Sequence, residues 1–471
     1  MNETFVEEKS KSGPKFQTLP LGNEIIANLE ALGFEFMTPI QSHALPLILE
    51  GKDIVAQAKT GSGKTAAFAL GILSRLNGKD FRPQALVLCP TRELAEQVTV
   101  EIRRLASFTK NIKVLLVCGG TAEYFQTKSL DHGAHIIVGT PGRLLKLLKT
   151  KVINLEMLNT LVFDEADRML DMGFCDDIRA ITSFAPKKRQ TLLFSATYPD
   201  EILALSSDLQ NNPTQISVDS KHQQHVIKQI FYRLSGPSQK LDALPLLLGH
   251  YKPASSVIFC KTKQSCQEVA AALVEQGIAA LAIHGDLEQR ERTLILNKFS
   301  NKSCLVLVAT DVAARGLDIK DLQMVINYDL PTDPESYVHR IGRTGRAGKE
   351  GVALSLFTKQ ENFKLEEIAK YLGIENSCED ISLLSPDKKF DLLPPMRTML
   401  IYGGRKDKLR PGDILGALTG DVGLKKEQVG GIHITDVLSY VAIDSLHIET
   451  VVTTLQSGKI KGRKFKVTLA P

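Results

Sequence analysis

The sequence lacks the features that mark two large classes of protein. Its seven cysteines form no Cys-x-x-Cys pair and show no paired spacing, which argues against a zinc site and a disulfide framework. It has no run of eighteen apolar residues, and the first fifteen residues contain no apolar signal core, so we expect neither a membrane span nor a secretory leader. Unpaired, reduced thiols predict a cytoplasmic protein.

The chain as a whole also has little net charge, with 58 Lys and Arg against 53 Asp and Glu. The balance is uneven, because residues 391–471 contain twelve basic and eight acidic residues and the rest of the chain contains 46 and 45. A basic C-terminal module fits a polyanionic partner, but solvated surface lysines would give the same composition. Composition leaves both interpretations open.

Apolar segments alternate with helical patterns over most of the chain, which predicts mostly parallel sheets covered by helices. In the first half, the predicted strands are residues 54–58, 85–89, 114–117, 136–138, 160–163 and 191–194. In the second half, they are residues 256–260, 279–283, 304–309, 324–327 and 352–357. The C-terminal pattern has the order β-α-β-β-α-β, which is ferredoxin-like and also occurs in RNA-recognition domains.

The predicted fold class is therefore α/β, with two parallel-sheet domains in tandem and a small α+β, ferredoxin-like domain at the end. We predict a disordered lead-in at 1–15, sheet domains at 16–216 and 217–377, a linker at 378–395 and a C-terminal domain at 396–471. A flexible linker of that length would span about 24 Å, which tethers the last domain without fixing its orientation.

A glycine-rich loop lies about a hundred residues before an acidic stretch. The loop consists of Ala58, Lys59, Thr60, Gly61, Ser62, Gly63, Lys64 and Thr65. Its backbone N–H groups can wrap phosphates, Lys64 adds positive charge, and the Thr65 hydroxyl can ligate magnesium. Asp164 and Glu165 follow a second strand, where Asp164 can hold the same Mg²⁺ and Glu165 can deprotonate an attacking water. Together these segments predict a site that hydrolyses a nucleoside triphosphate.

The second half has no such loop, but it contains an arginine-rich stretch at residues 339–348. Arg343 and Arg346 lie three residues apart beside glycines. A guanidinium supplied to a transferred phosphoryl group can raise its rate by about 10³ to 10⁵. If these arginines act in this way, hydrolysis requires the two domains to close. A basic loop facing nucleic acid would have the same sequence, and the stretch alone does not separate the two functions.

Taken in order, these motifs resemble those of the DEAD-box ATP-dependent RNA helicases, superfamily 2 proteins with two RecA-like domains. The family signature is present as Asp164-Glu165-Ala166-Asp167, and the resemblance covers residues 16–370. It implies RNA-stimulated ATP hydrolysis that drives local strand separation, with ATP and Mg²⁺ as cofactors. One departure is Lys261-Thr262-Lys263, where the family usually has Asn-Thr-Arg.

The resemblance also implies roles for individual residues. Adenine recognition would involve Phe16 by stacking, Phe34, and Gln41 by hydrogen bonds, and ribose and phosphate contacts would involve Gly316 and Asp318. The catalytic set would be Lys64, Asp164, Glu165, Arg343 and Arg346. Coupling of nucleotide state to RNA would involve Ser195, Ala196, Thr197 and His339. RNA contacts would come from Pro90, Thr91, Arg92, Gly119, Gly120, Thr140, Pro141, Gly142 and Arg143, and from Gln289, Arg292, Thr310 and Asp311.

The C-terminal module resembles the RNA-binding domain of the bacterial DbpA subfamily, through residues 403–406, 408–418 and 458–462. This resemblance implies an RRM-like domain that binds a hairpin of 23S ribosomal RNA on pre-50S particles, and we expect the protein to be a monomer. The strand at 439–443 has Tyr440 but lacks the several aromatics of a usual RNA-recognition motif. We therefore expect Arg405, Lys406, Lys408 and Arg410 to contribute more than base stacking.

Two other functions stay open at this point. An ATP-gated RNA clamp or assembly factor with little unwinding would have the same motifs, and RNA-stimulated phosphate release would distinguish a true enzyme from it. A DNA helicase is the other alternative, and comparing DNA with RNA as the stimulating nucleic acid would test it.

Overall fold

The computed structural model describes residues 13–57, 61–109, 111–120, 122–197, 200–217, 227–314, 322–345, 350–375, 377–384 and 392–471. The chain divides into two compact units. The first contains one sheet, and the second contains two. Within the described ranges, no helix is both long and apolar enough to cross a membrane.

The first unit is built on seven parallel strands. They are β1 (Ile54–Gln57), β2 (Ala85–Leu88), β3 (Val114–Val117), β4 (Ile136–Gly139), β5 (Thr160–Asp164), β6 (Gln190–Ser195) and β7 (Thr214–Ser217). Their order in the sheet is β3-β4-β2-β5-β6-β1-β7. The inner strands are almost wholly buried, as expected for a parallel sheet with helices on both faces.

Nine helices belong to this unit among the described residues. They are α1 (Asn23–Ala31), α2 (Pro39–Glu50), α3 (Lys64–Arg75), α4 (Arg92–Leu105), α5 (Glu123–Leu130), α6 (Pro141–Lys149), α7 (Ala166–Asp171), α8 (Cys175–Ser183) and α9 (Asp200–Leu209). Local signals begin several of them. The Thr91 hydroxyl accepts a hydrogen bond from Leu94 N at 3.3 Å and caps α4, and α2 begins with Pro39 behind Thr38.

The second sheet also has seven parallel strands. They are β8 (Ile227–Leu234), β9 (Ser256–Cys260), β10 (Ala280–Ile283), β11 (Val306–Thr310), β12 (Met324–Asn327), β13 (Gly351–Thr358) and β14 (Cys378–Glu379), in the order β10-β11-β9-β12-β13-β8-β14. The helices around it are α10 (Gln239–Tyr251), α11 (Lys263–Glu275), α12 (Gln289–Ser300), α13 (Asp311–Ala314), α14 (Pro334–Ile341) and α15 (Asn362–Leu372). The strand order repeats that of the first sheet, with β14 in the edge position that β7 has there.

The C-terminal sheet is antiparallel and has four strands. They are β15 (Met396–Ile401), β16 (Val429–Ile434), β17 (Ser439–Asp444) and β18 (Val467–Leu469), in the order β16-β17-β15-β18. Helices α16 (Pro411–Gly416) and α17 (Ile448–Ser457) cover one face. The β-α-β-β-α-β order is therefore confirmed, and so is the predicted fold class.

The other face of this sheet lies against the end of α12 in the same unit. Thr398 Oγ1 lies 2.8 Å from Ser303 Oγ and accepts a hydrogen bond from Asn301 Nδ2 at 3.0 Å. Lys298 Nζ donates to the Pro471 carbonyl at 2.5 Å. Thr398 and Tyr440 are only 2% and 5% exposed, although neither faces the helices of its own domain. The expectation of an orientation-free tether was wrong, because a polar interface holds the C-terminal domain.

The described part of the predicted linker also packs on the second sheet. Cys378 and Glu379 form the edge strand β14, the Glu379 carboxylate accepts a hydrogen bond from the Tyr232 hydroxyl at 3.3 Å, and Leu392 is buried in the core of the sheet. Residues 385–391 lie outside the described ranges, as do residues 218–226. Strands β7, β8 and β14 were missed from sequence.

The docked face can be tested at Thr398. Thr398→Val keeps the shape of the side chain but removes the hydroxyl that Asn301 and Ser303 contact. Leaving those groups without a partner should weaken docking by about 1–3 kcal/mol. Amide hydrogen exchange in β15 and at the end of α12 should then increase. Thr453→Val, at an exposed position on α17, is the matched control and should leave exchange unchanged. Unchanged exchange in Thr398→Val would contradict the docked arrangement.

Candidate active site

Three neighbouring strands of the first sheet end at the predicted nucleotide site. The sheet order places β5, β6 and β1 side by side, and parallel strands end at the same edge. The glycine-rich loop follows β1, Asp164 ends β5, and Ser195 ends β6. Gly63 has a φ of 97°, and a Cβ there would lie 2.6 Å from Gln41 Nε2, so this position requires glycine.

Lys64 is buried between two carboxylates. Its ammonium lies 2.9 Å from Asp164 Oδ1 and 3.9 Å from Glu165 Oε1. Burial opposes the charge on Lys64, but the two carboxylates outweigh burial, and the pKa of Lys64 is raised. Burial also raises the pKa of Asp164, against the effect of Lys64 and with a contribution from Glu165. The cluster therefore holds concentrated charge out of water, as a phosphate and metal site requires.

Glu165 has a strained backbone. Its φ of 56° is in the left-handed region, which costs a non-glycine residue about 1–3 kcal/mol. The carboxylate is buried, and Arg168 Nε lies 3.3 Å from its Oε2. The turn at Glu165 lies at the carboxyl end of β5, beside Asp164, where the Glu165 carboxylate can serve as a base.

Asp167 joins the acidic stretch to the segment that ends β6. Its Oδ2 accepts hydrogen bonds from Ala196 N at 3.1 Å, from Thr197 N at 3.3 Å and from Thr197 Oγ1 at 3.3 Å. Asp167 is a further residue in contact with the segment Ser195, Ala196 and Thr197, for which the sequence predicts a coupling role. The position of Asp167 in the family signature is the sequence signal that could have identified it. Its contact with Ala196 and Thr197 joins segments that are distant in sequence.

The residues predicted to recognise adenine pack together. Gln41 is buried, its Oε1 accepts from Thr38 N at 2.9 Å, and its Nε2 donates to the Gly63 carbonyl at 3.1 Å. Phe34 packs against the Arg104 guanidinium, 5.1 Å from its ring, and edge-on against Phe16. Phe16 is 1% exposed and belongs to the core of the first unit in this structure. Its stacking role stays a prediction.

The donor set at this site fits a divalent cation. Both carboxylate oxygens of Asp164 are buried without a well-formed hydrogen-bond partner among the described residues, although Lys64 Nζ forms an ion pair 2.9 Å from Oδ1. The Ser62 hydroxyl is also buried without such a partner. Hard oxygen ligands of this kind suit Mg²⁺, which normally binds one or two carboxylates together with phosphate oxygens. Asp164 and Thr65 are the predicted metal ligands.

The predicted RNA contacts of the first unit follow β2, β3 and β4 of that sheet. Arg92 Nη1 donates to the Gly119 carbonyl at 3.3 Å, so the segments after β2 and β3 are linked. Thr140 N donates to the Val117 carbonyl at 3.2 Å, which places the segment after β4 beside them. Pro90, Thr91, Gly120, Pro141, Gly142 and Arg143 lie in these same segments.

In the second unit, Arg340 organises the predicted RNA contacts. Its Nε and Nη2 donate to the two carboxylate oxygens of Asp311, each at 2.7 Å, and its Nη1 donates to Asn327 Oδ1 at 3.1 Å. Both carboxylate oxygens of Asp311 are therefore bound by Arg340. Arg340 is not among the site residues predicted from sequence. Arg343 is buried with 6% exposure.

Other predicted residues of this unit lie near Arg340 in sequence or follow the neighbouring strands. Thr310 ends β11, His339 lies in α14 and Gln289 begins α12. Arg292 donates to the carbonyls of His284 and Ala313 at 3.3 and 3.4 Å. Six predicted site residues lie outside the described ranges, namely Ala58, Lys59, Thr60, Gly316, Asp318 and Arg346.

The C-terminal domain presents more positive charge on one surface than the sequence analysis expected. Arg405, Lys406, Lys408 and Arg410 are all exposed. Lys461 Nζ donates to the Lys408 carbonyl at 3.1 Å, so a second basic segment lies beside them. That segment contributes the exposed Lys459, Lys461, Arg463, Lys464 and Lys466. We call these two segments the basic surface. Asp436, 3.0 Å from Arg405 Nε, offsets part of its charge.

Comparisons with known proteins match this arrangement. The family model of the DEAD/DEAH box helicases matches residues 38–205, that of the helicase conserved C-terminal domain matches 239–348, and that of the DbpA RNA binding domain matches 398–469. The chain is 50% identical to the ATP-dependent RNA helicase DbpA of Escherichia coli (strain K12), over 94% of this chain and 96% of that protein. It is 46% identical to the DEAD-box ATP-dependent RNA helicase CshA of Geobacillus kaustophilus (strain HTA426), over 75% and 76%.

Solved structures show the same likeness. The structure of S. cerevisiae Dbp5 bound to RNA and ADP BeF3 is 37% identical in sequence and superposes with a TM-score of 0.71, covering 78% of this chain and 96% of that one.

Removal of the buried ammonium gives a pH-dependent prediction. Lys64→Met leaves Asp164 buried without its cation, which should cost about 3–5 kcal/mol of stability at pH 8. A carboxyl whose pKa is higher in the folded than in the unfolded protein does not reduce folding stability below its unfolded pKa of about 3.9. The loss of stability grows as pH rises from there through the pKa of the folded state. Urea denaturation without nucleotide should therefore show a smaller loss at pH 5.5. Lys52→Met, on the surface beside Glu50, is the control. A loss that does not depend on pH would contradict this account.

Proposed function

This chain belongs to the DEAD-box family of ATP-dependent RNA helicases and to its DbpA subfamily, and on that basis we propose that it separates short RNA duplexes next to a hairpin of 23S ribosomal RNA. It acts on pre-50S particles in the cytoplasm, as a monomer. The observation that carries the choice of target is the basic surface, on a domain that matches the DbpA RNA binding domain.

The first unit holds the nucleotide. The loop that ends in Lys64 and Thr65 binds the phosphates through backbone N–H groups, and Lys64 moves from the carboxylates to the terminal phosphates. Mg²⁺ supplies charge neutralisation on the phosphate oxygens when Thr65 and Asp164 hold it. Glu165 accepts the proton of the attacking water, and Arg343 and Arg346 stabilise charge on the transferred phosphoryl group.

Nucleotide state reaches the RNA site through short polar contacts. Gln41 contacts both the start of α2 and the Gly63 carbonyl, so a change in the glycine-rich loop changes its environment. Asp167 holds Ala196 and Thr197 directly behind the acidic pair. Movement of either segment on ATP binding or hydrolysis alters the neighbouring strand ends. We infer that this linkage makes RNA affinity depend on the bound nucleotide.

The C-terminal domain selects the RNA. Its sheet face is docked on α12, so the surface that an RNA-recognition domain usually offers for base stacking is largely covered. Phosphates are instead bound by the basic surface, whose exposed lysines and arginines come from two segments. Because the domain is docked, it presents duplex next to its hairpin at a defined position.

The role of Glu165 is tested by Glu165→Gln. The amide keeps the size of the side chain but cannot accept the proton of the attacking water, so turnover should fall by about 10² to 10⁴. Binding of a fluorescent ATP analogue should remain. Glu156→Gln, at an exposed position before β5, is the control and should hydrolyse ATP normally. Normal hydrolysis by Glu165→Gln would remove Glu165 from the role of base.

The target is tested by changing Arg405, Lys406, Lys408 and Arg410 together to glutamine. Each lost phosphate contact should reduce the slope of log affinity against log salt by about one, and the preference for the 23S hairpin over an unrelated hairpin should disappear. ATP hydrolysis stimulated by unstructured RNA should persist at higher RNA concentration. Crosslinking to cellular RNA should recover the 23S hairpin with the parent protein but not with the variant.

Lys425 and Lys426 supply the matched control. They precede β16, which runs parallel to β15, so they lie at the opposite end of the sheet from residues 405–410. Lys425→Gln with Lys426→Gln should keep the preference for the hairpin. Equal loss in both sets would show a general effect of charge, and an unchanged preference in the fourfold variant would refute the proposed surface.

A further inference from the structure

Helix α5 buries one polar side chain and no other. Of its residues, from Glu123 to Leu130, Gln126 is the one that is buried, with 6% of its surface exposed. A helix on a sheet normally buries an apolar stripe. A buried amide must instead find partners for its N–H and C=O groups. Leu130 packs partly buried against the core of the first unit, but the residue that α5 buries most fully is a hydrogen-bonding one.

The two ends of this amide contact two segments that are proposed to bind RNA. Gln126 Nε2 donates to the Cys118 carbonyl at 2.8 Å, directly before Gly119 and Gly120. Gln126 Oε1 accepts a hydrogen bond from Arg143 Nη1 at 3.1 Å. A backbone carbonyl cannot donate and a guanidinium cannot accept, so one orientation of the amide satisfies both contacts.

We propose that Gln126 is a positioning residue, which holds the Arg143 guanidinium in the orientation that meets an RNA phosphate. The inference rests on the proposed RNA contact of Arg143. The hydrogen bond to Gln126 engages one of the five N–H donors of the guanidinium. A long side chain that is already fixed loses less freedom when its ligand binds. Gln126 thus raises RNA affinity without touching RNA.

The same amide fixes the relative position of two strand ends. Cys118 follows β3 and Arg143 lies in the first turn of α6, after β4. On the exposed side, Lys146 Nζ lies 2.5 Å from a Glu123 carboxylate oxygen, a second contact between α5 and α6. Because that ion pair is solvated, it contributes little. The buried amide is the contact that sets the geometry.

Gln126→Met tests the proposal, since methionine keeps the length of the side chain but can neither donate to Cys118 nor accept from Arg143. The RNA concentration that half-saturates ATP hydrolysis should rise about tenfold, as expected for loss of a hydrogen bond to a charged group. The rate at saturating RNA and the affinity for ATP should stay close to the parent values. All measurements are made on the full chain, below the onset of unfolding seen by circular dichroism.

Two further readouts separate positioning from a merely structural role. If Gln126 acts through Arg143, Gln126→Met should lower the slope of log RNA affinity against log salt by about 0.7, as Arg143→Ala does. The double variant should then bind RNA no more weakly than Arg143→Ala alone.

Gln84 provides a matched control for burial of an amide. Gln84 is also buried, and its side chain donates to the carbonyls of Asn77 and Asp80 at 2.9 and 2.7 Å. It directly precedes β2, so it lies at the amino ends of the strands, away from the proposed RNA contacts. Gln84→Met should lower thermal stability but leave the half-saturating RNA concentration and the salt slope unchanged.

The results separate the positioning role of Gln126 from the RNA contact of Arg143. If Arg143→Ala weakens RNA binding while Gln126→Met changes neither affinity nor slope, or if their effects add in full, the positioning role is wrong. If Arg143→Ala binds RNA as the parent does, the RNA contact of Arg143 is wrong instead.

Discussion

The strands of a parallel sheet all run in one direction, so their carboxyl ends lie along one side of the sheet. This constraint determines where the functional residues of the first unit lie. The loop after β1, the acids after β5 and Ser195 at the end of β6 occupy one half of the edge, because β5, β6 and β1 are neighbours. Arg92, Gly119 and Arg143 follow β2, β3 and β4, which are also neighbours. The strand order therefore divides a single edge into a nucleotide half and a proposed RNA half, which share the boundary between β2 and β5.

The segments at the ends of these strands are linked by buried polar side chains, and glutamine is suited to such contacts. Gln41 joins the start of α2 to the glycine-rich loop, and Gln126 joins the ends of two strands. An amide donates and accepts without carrying a charge, so its burial costs far less than that of Lys64 or Asp164. Lys64 and Asp164 lie where a phosphate and a metal would repay their burial.

The sequence predicted most strands of the two parallel sheets because their signals are local. Buried strands are continuous apolar runs, and the glycine-rich loop and acid pair directly follow such runs. Two of the three missed strands, β7 and β14, carry no such signal. In β7 the exposed fraction alternates along Thr214–Ser217, and β14 has two exposed residues, so neither could be told from a loop.

Contacts between distant segments could not be predicted where no motif joins the two segments. The pairing of Arg340 with Asp311 joins residues 29 apart, and that of Gln126 with Arg143 joins residues 17 apart. Both depend on strand order, which the amino-acid pattern does not determine. The docking of the C-terminal sheet on α12 joins Thr398 to residues nearly a hundred positions earlier. The polar residues that make that interface resemble any solvated surface in sequence.

Docking changes how the C-terminal domain can contribute to selection. A flexible tether would supply a local concentration on the order of millimolar in every direction and would bring any neighbouring duplex to the core. A domain held through Thr398, Asn301 and Ser303 presents its RNA in one orientation relative to α12. Gln289 and Arg292, both proposed RNA contacts, lie on that same helix. In the proposed function, selection then depends on the geometry of the RNA around the hairpin, because a duplex at the wrong distance or angle would not reach α12 while the domain stays docked.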